Sequence, residues 1–502
     1  MTIKRRDVLA GLGLGVAGAA MASRPGHRPN LHLRPIPGAR PRNVIFILSD
    51  DHRYDFMGFM GKPSFLRTPN MDRLATEGAH IQNAFVQTSL CSPSRASILT
   101  GQISNRHGVV NNQAPESPDL VFFPQYLQQA GYHTAFIGKW HMGEDEASDK
   151  PRQGFDHWVS FKGQGVYFDP ELNIDGQVTT VPGYITDILT DYALQWLQQQ
   201  NGHKPFFLYL SHKAPHNNND LTGGPKYDGV YANAPVEYPP TMANTEENYR
   251  GKPAWVRAQR NSWHGVDYAY YGGMSFETLY RKYCEALLGI DESIGRVMDQ
   301  LERMGLADST LVIYMGDNGF CLGEHGLIDK RHMYEESARV PLVMRCPELI
   351  APGTKVTPLV QNIDIAETIL ETAGLEPPDT MDGLSFLPLL RGKTIPWRDR
   401  LYYQYFWEWN FPMTPTVLGL RTDQYAYMHY LGIWDIDELY DMSDPMETNN
   451  LIDAPEHQER IVQFRHDIYD WLGHNGGLRI PLFEPSGVRR ADHGPDGTTC
   501  NT

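Results

Sequence analysis

Cysteine is scarce in this sequence, because only five of the 502 residues are cysteines. They are scattered along the chain at Cys91, Cys284, Cys321, Cys346 and Cys500. This spacing has neither the density of a disulfide scaffold nor the paired cysteines of a zinc site. With Cys91 set aside, the other four allow at most two disulfides. We expect a globular fold held by an ample core, since 41% of the residues are hydrophobic.

Positive charge is also in short supply. The chain has 44 lysines and arginines against 60 acidic residues, which gives a formal net charge of −16. A general nucleic-acid binder needs clustered basic residues to neutralise phosphates, and the sequence shows no such cluster. The composition therefore argues against a nucleic-acid partner, and any anionic substrate must meet cations that are placed locally.

Long hydrophobic runs are missing beyond the first residues. Residues 4–22 are "KRRDVLAGLGLGVAGAAMA", in which Arg5 and Arg6 precede a short apolar run and Ala22 ends a small-residue cleavage pattern. A membrane anchor is the weaker alternative, since a span needs about 20 apolar residues. We interpret residues 1–22 as a twin-arginine signal that export machinery reads, and we expect a periplasmic or secreted mature chain without a membrane segment.

Short apolar stretches alternate with helical stretches along the rest of the chain. This alternation predicts an α/β fold with a large, mostly parallel sheet sandwiched by helices over residues 40–385. The aromatic stretches "LYYQYFWEW" and "YAYMHYLGIWD" and the helical "HQERIVQFRHDIYDWLGH" predict a smaller antiparallel sheet plus helix over residues 386–480. Residues 481–502 are predicted to form a flexible tail.

Four of the predicted strands end on polar side chains. The stretches are "NVIFILSDD", "TLVIYMGDN", "HTAFIGKWH" and "PFFLYLSH". Their terminal polar residues are Asp50, Asp51, Asp317, Asn318, Lys139, His141 and His212. Each group taken alone also fits a helix cap, a turn or an ordinary polar residue. Because ligands of open α/β sheets lie beyond the carboxyl ends of the strands, we expect these side chains to converge at one edge.

The acids among them point to a metal. Three carboxylates and an amide oxygen are hard ligands that suit Ca²⁺ or Mg²⁺, whereas Zn²⁺ prefers histidine or cysteine. Without a cation, carboxylates gathered at one sheet edge would repel one another. The sequence therefore predicts a divalent cation at this edge.

The stretch "SLCSPSRASILTG" contains a short predicted helix. Ser92 suits the N-cap, Pro93 the first helical position and Gly101 the C-terminal cap. Cys91 would then face a helix N-terminus, which binds tetrahedral anions, and Arg95 would add a charged donor. A buried structural cysteine is the alternative. A thiolate is a poor neighbour for a hard cation, so the site requires a group other than a thiol.

These motifs resemble the type I sulfatases of the alkaline phosphatase-like superfamily. The resemblance rests on "SLCSPSRASILTG", "SDDHR", "GKWH", "SHKAPH", "DNGFCLGEHGLIDKRHMYEESARVPL" and "ELYDMSDPMETNN", and it spans the chain from Asn43 to about Asn450. It implies an alkaline phosphatase-like fold and hydrolysis of sulfate monoesters. It also implies that a formylglycine-generating enzyme converts Cys91 to Cα-formylglycine, whose hydrate is the nucleophile.

The resemblance further implies roles for the matching residues. The metal ligands would be Asp50, Asp51, Asp317 and Asn318 together with position 91, with Ca²⁺ favoured and Mg²⁺ as the alternative. The sulfate-binding and proton-transfer set would be Arg95, Lys139, His141, His212 and Lys330. In that scheme Asp317 helps to activate the nucleophile and His141 assists expulsion of sulfate. His212 and Lys330 hold the bridging oxygen and protonate the leaving alcohol.

The substrate expected on these grounds is a sulfated carbohydrate. The segment from Asn217 to Tyr280 is predicted to be a long loop insertion near His212, and exposed aromatic residues such as Trp255 and Trp263 suit sugar rings. A phosphomonoester or phosphonate-ester hydrolase of the same superfamily is one alternative. A noncatalytic binder of sulfated glycans, with Cys91 unconverted, is the other.

Overall fold

The computed structural model describes residues 31–143, 149–200, 202–217, 219–268 and 274–477. The predicted export signal and the predicted tail lie outside these ranges. The chain divides into Met1–His32, nearly all of it outside the described ranges, and Leu33–Thr502, which contains every element named below. None of the helices in the described ranges is both long enough and apolar enough to cross a membrane.

The described strands fall into a large sheet, a two-stranded pair and a smaller sheet. The strands are β1 (Asn43–Ser49), β2 (Ala79–Ile81), β3 (Ala84–Phe85), β4 (His133–Lys139), β5 (His157–Phe161), β6 (Glu171–Ile174), β7 (Gln177–Thr180), β8 (Phe206–Ser211), β9 (Thr310–Gly316), β10 (Leu342–Arg345), β11 (Thr354–Val356), β12 (Val360–Gln361), β13 (Arg400–Tyr405), β14 (Thr416–Thr422), β15 (Tyr425–Leu431) and β16 (Glu438–Asp441). The described helices are α1 (Pro69–Thr76), α2 (Cys91–Thr100), α3 (Ser104–His107), α4 (Phe123–Gln129), α5 (Ile185–Gln198), α6 (Gly224–Tyr227), α7 (Glu246–Tyr249), α8 (Ala254–Gln259), α9 (Phe276–Arg303), α10 (Glu335–Ala338), α11 (Asp364–Thr372), α12 (Leu387–Leu390) and α13 (Gln458–His474).

The large sheet has ten strands in the order β11-β2-β10-β9-β1-β8-β4-β5-β6-β7. Its central strands β9, β1, β8, β4 and β5 are parallel to one another, whereas β9 pairs with β10 and β5 with β6 in antiparallel fashion. The predicted mostly parallel sheet is therefore confirmed. The four strands that were predicted to end on polar residues are consecutive neighbours in this order.

Strand β1 shows why its sequence is a continuous apolar run. Val44 and Phe46 pack in one hydrophobic cluster, which includes residues of α2, α4 and α11. Ile45 and Ile47 point the other way and pack with residues of α1, α5 and α9. Since successive side chains of a strand face opposite sides, a sheet covered by helices on both faces needs apolar residues at every position.

The C-terminal sheet is an antiparallel meander, β13-β14-β15-β16. Leu420 and Leu439 pack on one of its faces with Ile461 and Ile468 of α13. The predicted antiparallel sheet with a terminal helix is therefore confirmed. Tyr405 and other residues of the sheet belong to a separate hydrophobic cluster, which includes residues of the segment after β9. That contact packs the smaller sheet against the segment that follows β9 of the large sheet.

The segment from Asn217 to Tyr280 is less loop-like than predicted, since it contains α6, α7, α8 and the start of α9. The expectation that Trp255 is exposed is wrong: Trp255 is only 8% exposed. Its ring lies 5.6 Å from that of Tyr430, because α8 packs against the C-terminal sheet. Trp263 is 56% exposed, as expected.

Candidate active site

The carboxyl ends of β1 and β9 bring the predicted metal ligands together. One carboxylate oxygen from each of Asp50, Asp51 and Asp317 lies within 4.8 Å of the others. The backbone N–H of Asp51 donates to Asp317 Oδ1 at 3.0 Å, which ties the two strand ends together. Asn318 Nδ2 donates to Asp51 Oδ1 at 2.7 Å, and Asn318 Oδ1 is buried without a hydrogen-bond partner among the described residues. Three carboxylates and an unpaired amide oxygen fit a hard divalent cation.

Burial and neighbouring charge act differently on the three carboxylates. Burial raises the pKa of Asp317 to about 6, an effect that the charge of Asp50 reinforces and Arg95 opposes. Burial likewise raises the pKa of Asp51, although Lys330 counteracts it. For Asp50 burial is again the largest influence, but cations led by Lys139 outweigh it and hold the pKa well below its usual range. A bound divalent cation would relieve the repulsion within this group.

Helix α2 begins at Cys91 itself, with Leu90 as its N-cap. The prediction that Ser92 is the N-cap is wrong, because the first turn already includes it and its N–H donates to Asn112 Oδ1 at 3.1 Å. Gly101 does end the helix, in a left-handed conformation with φ of 66°. That conformation carries little steric cost for a residue without Cβ.

The Cys91 thiol lies at the centre of the charged groups. It donates to Asp50 Oδ1 at 3.4 Å and accepts from Lys330 Nζ at 3.0 Å. Burial, followed by the charge of Asp50, raises the pKa of this thiol well above its ordinary value. The unmodified side chain is therefore a neutral thiol, which is a weak nucleophile. The four free cysteines of the described residues are Cys91, Cys284, Cys321 and Cys346, so none of them forms a disulfide.

Arg95 is buried against the strand ends. Its Nη2 lies 2.8 Å from Asp317 Oδ2, and its Nη1 donates to the Lys139 carbonyl and to Ser211 Oγ at 2.6 Å each. The same Nη2 lies 3.5 Å from Asp50 Oδ2. This guanidinium therefore orients two of the candidate metal ligands and joins them to the ends of β4 and β8.

Lys139 and Lys330 bring two further cations to the same point. Lys139 Nζ forms an ion pair with Asp50 and also bonds to Gln164 Oε1. Lys330 Nζ pairs with Asp51 while it contacts Cys91. Both side chains are buried, so their charges act in a medium that screens them poorly.

His141 lies beside the first turn of α2. Ser92 Oγ donates to the His141 carbonyl, and the same hydroxyl lies 3.5 Å from His141 Nδ1. Burial, assisted by the charge of Lys139, lowers the pKa of His141 well below its ordinary value. The imidazole is therefore in its neutral form.

The structure does not bring His212 to Cys91. His212 Nε2 lies 3.0 Å from Ser293 Oγ of α9, and burial alone lowers its pKa to about 3. Strand alternation explains this position, because His212 continues the face of Leu208 and Leu210, which pack in the α9 cluster. The predicted contact between His212 and the leaving group is therefore not supported by the geometry.

His216 takes the place that His212 was expected to fill. Its Nε2 lies 3.8 Å from Asp51 Oδ2, and one ring nitrogen lies within 4.8 Å of ligand atoms of Asp50 and Cys91. Its Nδ1 is buried without a hydrogen-bond partner among the described residues. The sequence reasoning missed this residue although "SHKAPH" contains both histidines. Extending the alternation of β8 by one residue would have shown that His212 faces the α9 side of the sheet.

Comparisons with known proteins agree with this geometry. The Sulfatase family profile matches residues 42–375, and a profile described as N-sulphoglucosamine sulphohydrolase, C-terminal, matches residues 323–472. An N-acetylglucosamine-6-O-sulfatase of Bacteroides thetaiotaomicron is 35% identical over 83% of this chain and 84% of that protein. The N-acetylglucosamine-6-sulfatase of Homo sapiens is 31% identical and covers 76% of this chain and 70% of its own length.

A solved structure is similar to this chain in both fold and sequence. It holds a protein in complex with its substrate D-glucosamine-2-N,6-O-disulfate, and it matches with a TM-score of 0.80 and 31% identity over 89% of this chain and 100% of that chain. The sheet edge of the present chain thus lies within a fold and a sequence pattern that sulfatases share. The chain belongs to the sulfatase family and is an enzyme that hydrolyses sulfate esters.

Proposed function

We propose that this sulfatase removes the 6-O-sulfate from glucosamine units of sulfated saccharides. The observation that carries the proposal is the placement of position 91 between Asp50 Oδ1 and Lys330 Nζ, beside the other oxygen donors of the strand ends. The choice of sugar is supported by the two N-acetylglucosamine 6-sulfatases and by the neighbour bound to a 6-O-sulfated glucosamine.

The nucleophile that we propose is formylglycine at position 91. A neutral, buried thiol between a carboxylate and an ammonium group has little reactivity of its own. The hydrated aldehyde supplies two hydroxyls on one carbon, so that sulfate can leave without direct attack by water. Lys330 and Asp50 already contact the side chain at this position and would orient its hydroxyls.

The cation that we propose is Ca²⁺, held by Asp50, Asp51, Asp317 and Asn318. The unpartnered Asn318 Oδ1 and the closely spaced carboxylates support this choice. When bound, the ion supplies positive charge that polarises the oxygens of a sulfate ester. Arg95 holds Asp317 in position for it.

Proton transfer is assigned to the two histidines near position 91. Neutral His141, held by Ser92, accepts a proton when sulfate leaves. His216 and Lys330 act on the leaving alcohol, since both lie beside Asp51 and close to position 91. Their part is to deliver a proton to the ester oxygen as the bond to sulfur breaks.

We further propose that the enzyme works outside the cytoplasm. Arg5, Arg6 and the apolar stretch that ends at Ala22 support twin-arginine export. Cell fractionation of the full chain tests this proposal: we expect activity and a shortened N-terminus in the periplasm or medium. Uncleaved, active protein confined to the cytoplasm would contradict it.

The substrate is tested by sulfate release from matched monosaccharides. We expect N-acetylglucosamine 6-sulfate to be turned over roughly tenfold or more faster than its 3-sulfate and than N-acetylgalactosamine 6-sulfate. Cys91→Ala is the inactive control. Equal turnover of all three esters would contradict the 6-O-glucosamine assignment, and faster hydrolysis of N-acetylglucosamine 6-phosphate would favour a phosphohydrolase.

A further inference from the structure

A second group of buried side chains has the composition of a metal site. We call His325, Glu336 and Glu447 the His-Glu-Glu cluster; a ligand atom from each lies within 4.8 Å of the other two. The three residues are 2%, 6% and 1% exposed, respectively. The cluster shares no residue with the active site. It joins the segment after β9, which supplies His325 and Glu336, to the loop after β16, which supplies Glu447.

Each member of the cluster has one buried polar atom that forms no hydrogen bond in the described part of the chain. His325 Nδ1, Glu336 Oε2 and Glu447 Oε1 are buried without a hydrogen-bond partner among the described residues. Buried polar atoms are nearly always satisfied, because leaving one unpaired costs free energy. Three such atoms on three neighbouring side chains indicate a missing ligand that all of them share.

The charges around the cluster point to a cation. The neighbouring acids are all paired: Glu324 with Arg53, Glu335 with Arg339 and Arg421, and Glu438 with Lys252. Glu336 and Glu447 form no ion pair within the described part of the chain. Lys252 is close, but its ammonium group donates to Tyr440 Oη at 2.7 Å and to the Glu447 carbonyl at 2.9 Å. Without an ion-pair partner among the described residues, burial raises the pKa of Glu336 to about 8 and that of Glu447 well above its ordinary value. A bound metal ion would displace the protons that these two carboxyls then hold.

We propose that the His-Glu-Glu cluster binds a divalent transition-metal ion, with Zn²⁺ as the best fit. One imidazole nitrogen and two carboxylate oxygens match the donor preference of Zn²⁺, whereas Ca²⁺ takes oxygen donors. Once the ion has displaced their protons, the two carboxylates would balance its charge. Burial holds the pKa of His325 well below its ordinary value, so the imidazole is in the neutral form that binds metals.

A second buried histidine, His332, lies in the same region. His332 is fully buried, and neither of its ring nitrogens has a partner among the described residues. Its ring and that of His325 both contact Tyr334, at centroid distances of 5.0 and 4.2 Å. A water molecule would complete the tetrahedral arrangement that Zn²⁺ prefers, since His332 is not among the residues whose ligand atoms lie within 4.8 Å of one another.

The ion would stabilise the segment that carries Lys330, which lies between His325 and Glu336 in the chain. His325 and Glu447 have φ angles of 54° and 48°, in the left-handed region that non-glycine residues seldom adopt. A shared ligand would help to hold both residues in these conformations. It would also tie the active-site segment to the C-terminal sheet.

Metal analysis of the full chain tests the proposal. The enzyme is incubated with Zn²⁺ and Ca²⁺, freed of unbound ions by gel filtration, and analysed by inductively coupled plasma mass spectrometry. We expect about one Zn²⁺ per chain in the wild type, with loss of this ion in Glu447→Gln and in His325→Gln. The matched control is Asp317→Asn, which should lose Ca²⁺ and retain Zn²⁺.

A measurement on the wild type covers the case in which the variants do not fold. Co²⁺ should replace Zn²⁺ and give the visible absorption of a tetrahedral site, and anomalous scattering from crystals should place it between the three side chains. A wild type that takes up no Zn²⁺ would show that protons or water satisfy the cluster and would overturn the proposal. Zinc retained in Glu447→Gln, or lost in Asp317→Asn, would overturn it as well. None of these results depends on sulfatase activity.

Discussion

Replacing His216 with alanine should slow sulfate release from sugar esters far more than replacing His212. His216 lies beside Asp51 and close to Cys91, whereas His212 bonds to Ser293 in the core between β8 and α9. Only the first can reach an ester oxygen bound at position 91. The two histidines belong to one short stretch of chain, so each serves as the control for the other.

The surroundings of each histidine set the expected loss of rate or stability in its alanine variant. Proton transfer by a positioned side chain contributes roughly 10²–10⁴-fold to a rate, or about 3–5 kcal/mol in activation free energy. His216→Ala should lose that factor with a sugar sulfate. It should lose only about tenfold or less with an aryl sulfate, whose leaving group needs little protonation. His212→Ala should lower the free energy of unfolding by about 2–5 kcal/mol, through the lost Ser293 bond and the cavity left behind.

The assay compares kcat/KM for N-acetylglucosamine 6-sulfate and for a nitrophenyl sulfate, with the formylglycine content of each preparation measured first. Unfolding in denaturant gives the stability of both variants. If His216→Ala slowed the two esters equally, its assignment to the leaving alcohol would be wrong. If His212→Ala were as stable as the wild type yet selectively lost sugar-sulfate turnover, the correction made from its contacts would be refuted.

Three further predictions concern the same site. Chelation should abolish activity and Ca²⁺ should restore it in the wild type but not in Asp317→Ala; full activity of a sample shown by elemental analysis to be metal-free would refute the cation site. Trypsin should release Leu74 to Arg95 as one peptide that reacts with hydrazide probes in proportion to activity, and a fully active enzyme with only cysteine in that peptide would rule out formylglycine. Lys330→Ala should reduce kcat/KM for the sugar ester by roughly 10²-fold or more, because it removes a charged donor from position 91; Lys226→Ala, an exposed lysine paired with Glu292, is the control and should have wild-type kinetics.

The central strands and the convergence of the candidate metal ligands could be predicted from the sequence because their signals are local. A strand buried on both faces is an unbroken apolar run, and Asp50 and Asp317 follow two such runs directly. Parallel pairing then brings the strand ends to one edge without further information. Sequence reasoning thus placed Asp50 and Asp317 correctly, because each follows its own strand directly.

Other features depend on contacts between distant segments. Trp255 is buried because α8 meets the C-terminal sheet, and no property of α8 alone reveals that partner. The His-Glu-Glu cluster likewise combines two residues that follow β9 with one that follows β16. His216 reaches the site only after the chain turns beyond β8, and a turn changes which side chains face the edge. In each case the missing information was the tertiary packing.

The active site also explains how an acidic protein can bind an anion. Three buried carboxylates lie next to three buried cations, which are Lys139, Arg95 and Lys330. These six charges cancel, so the net charge of the site is set by what is added to it. The proposed divalent cation would make the site positive by two charges, and a sulfate monoester would bring one negative charge into it. Because the groups are buried, this local balance outweighs the distant surface charges that water and salt screen. The net charge of −16 is therefore compatible with a sulfate ester as substrate, provided that the cation is bound first.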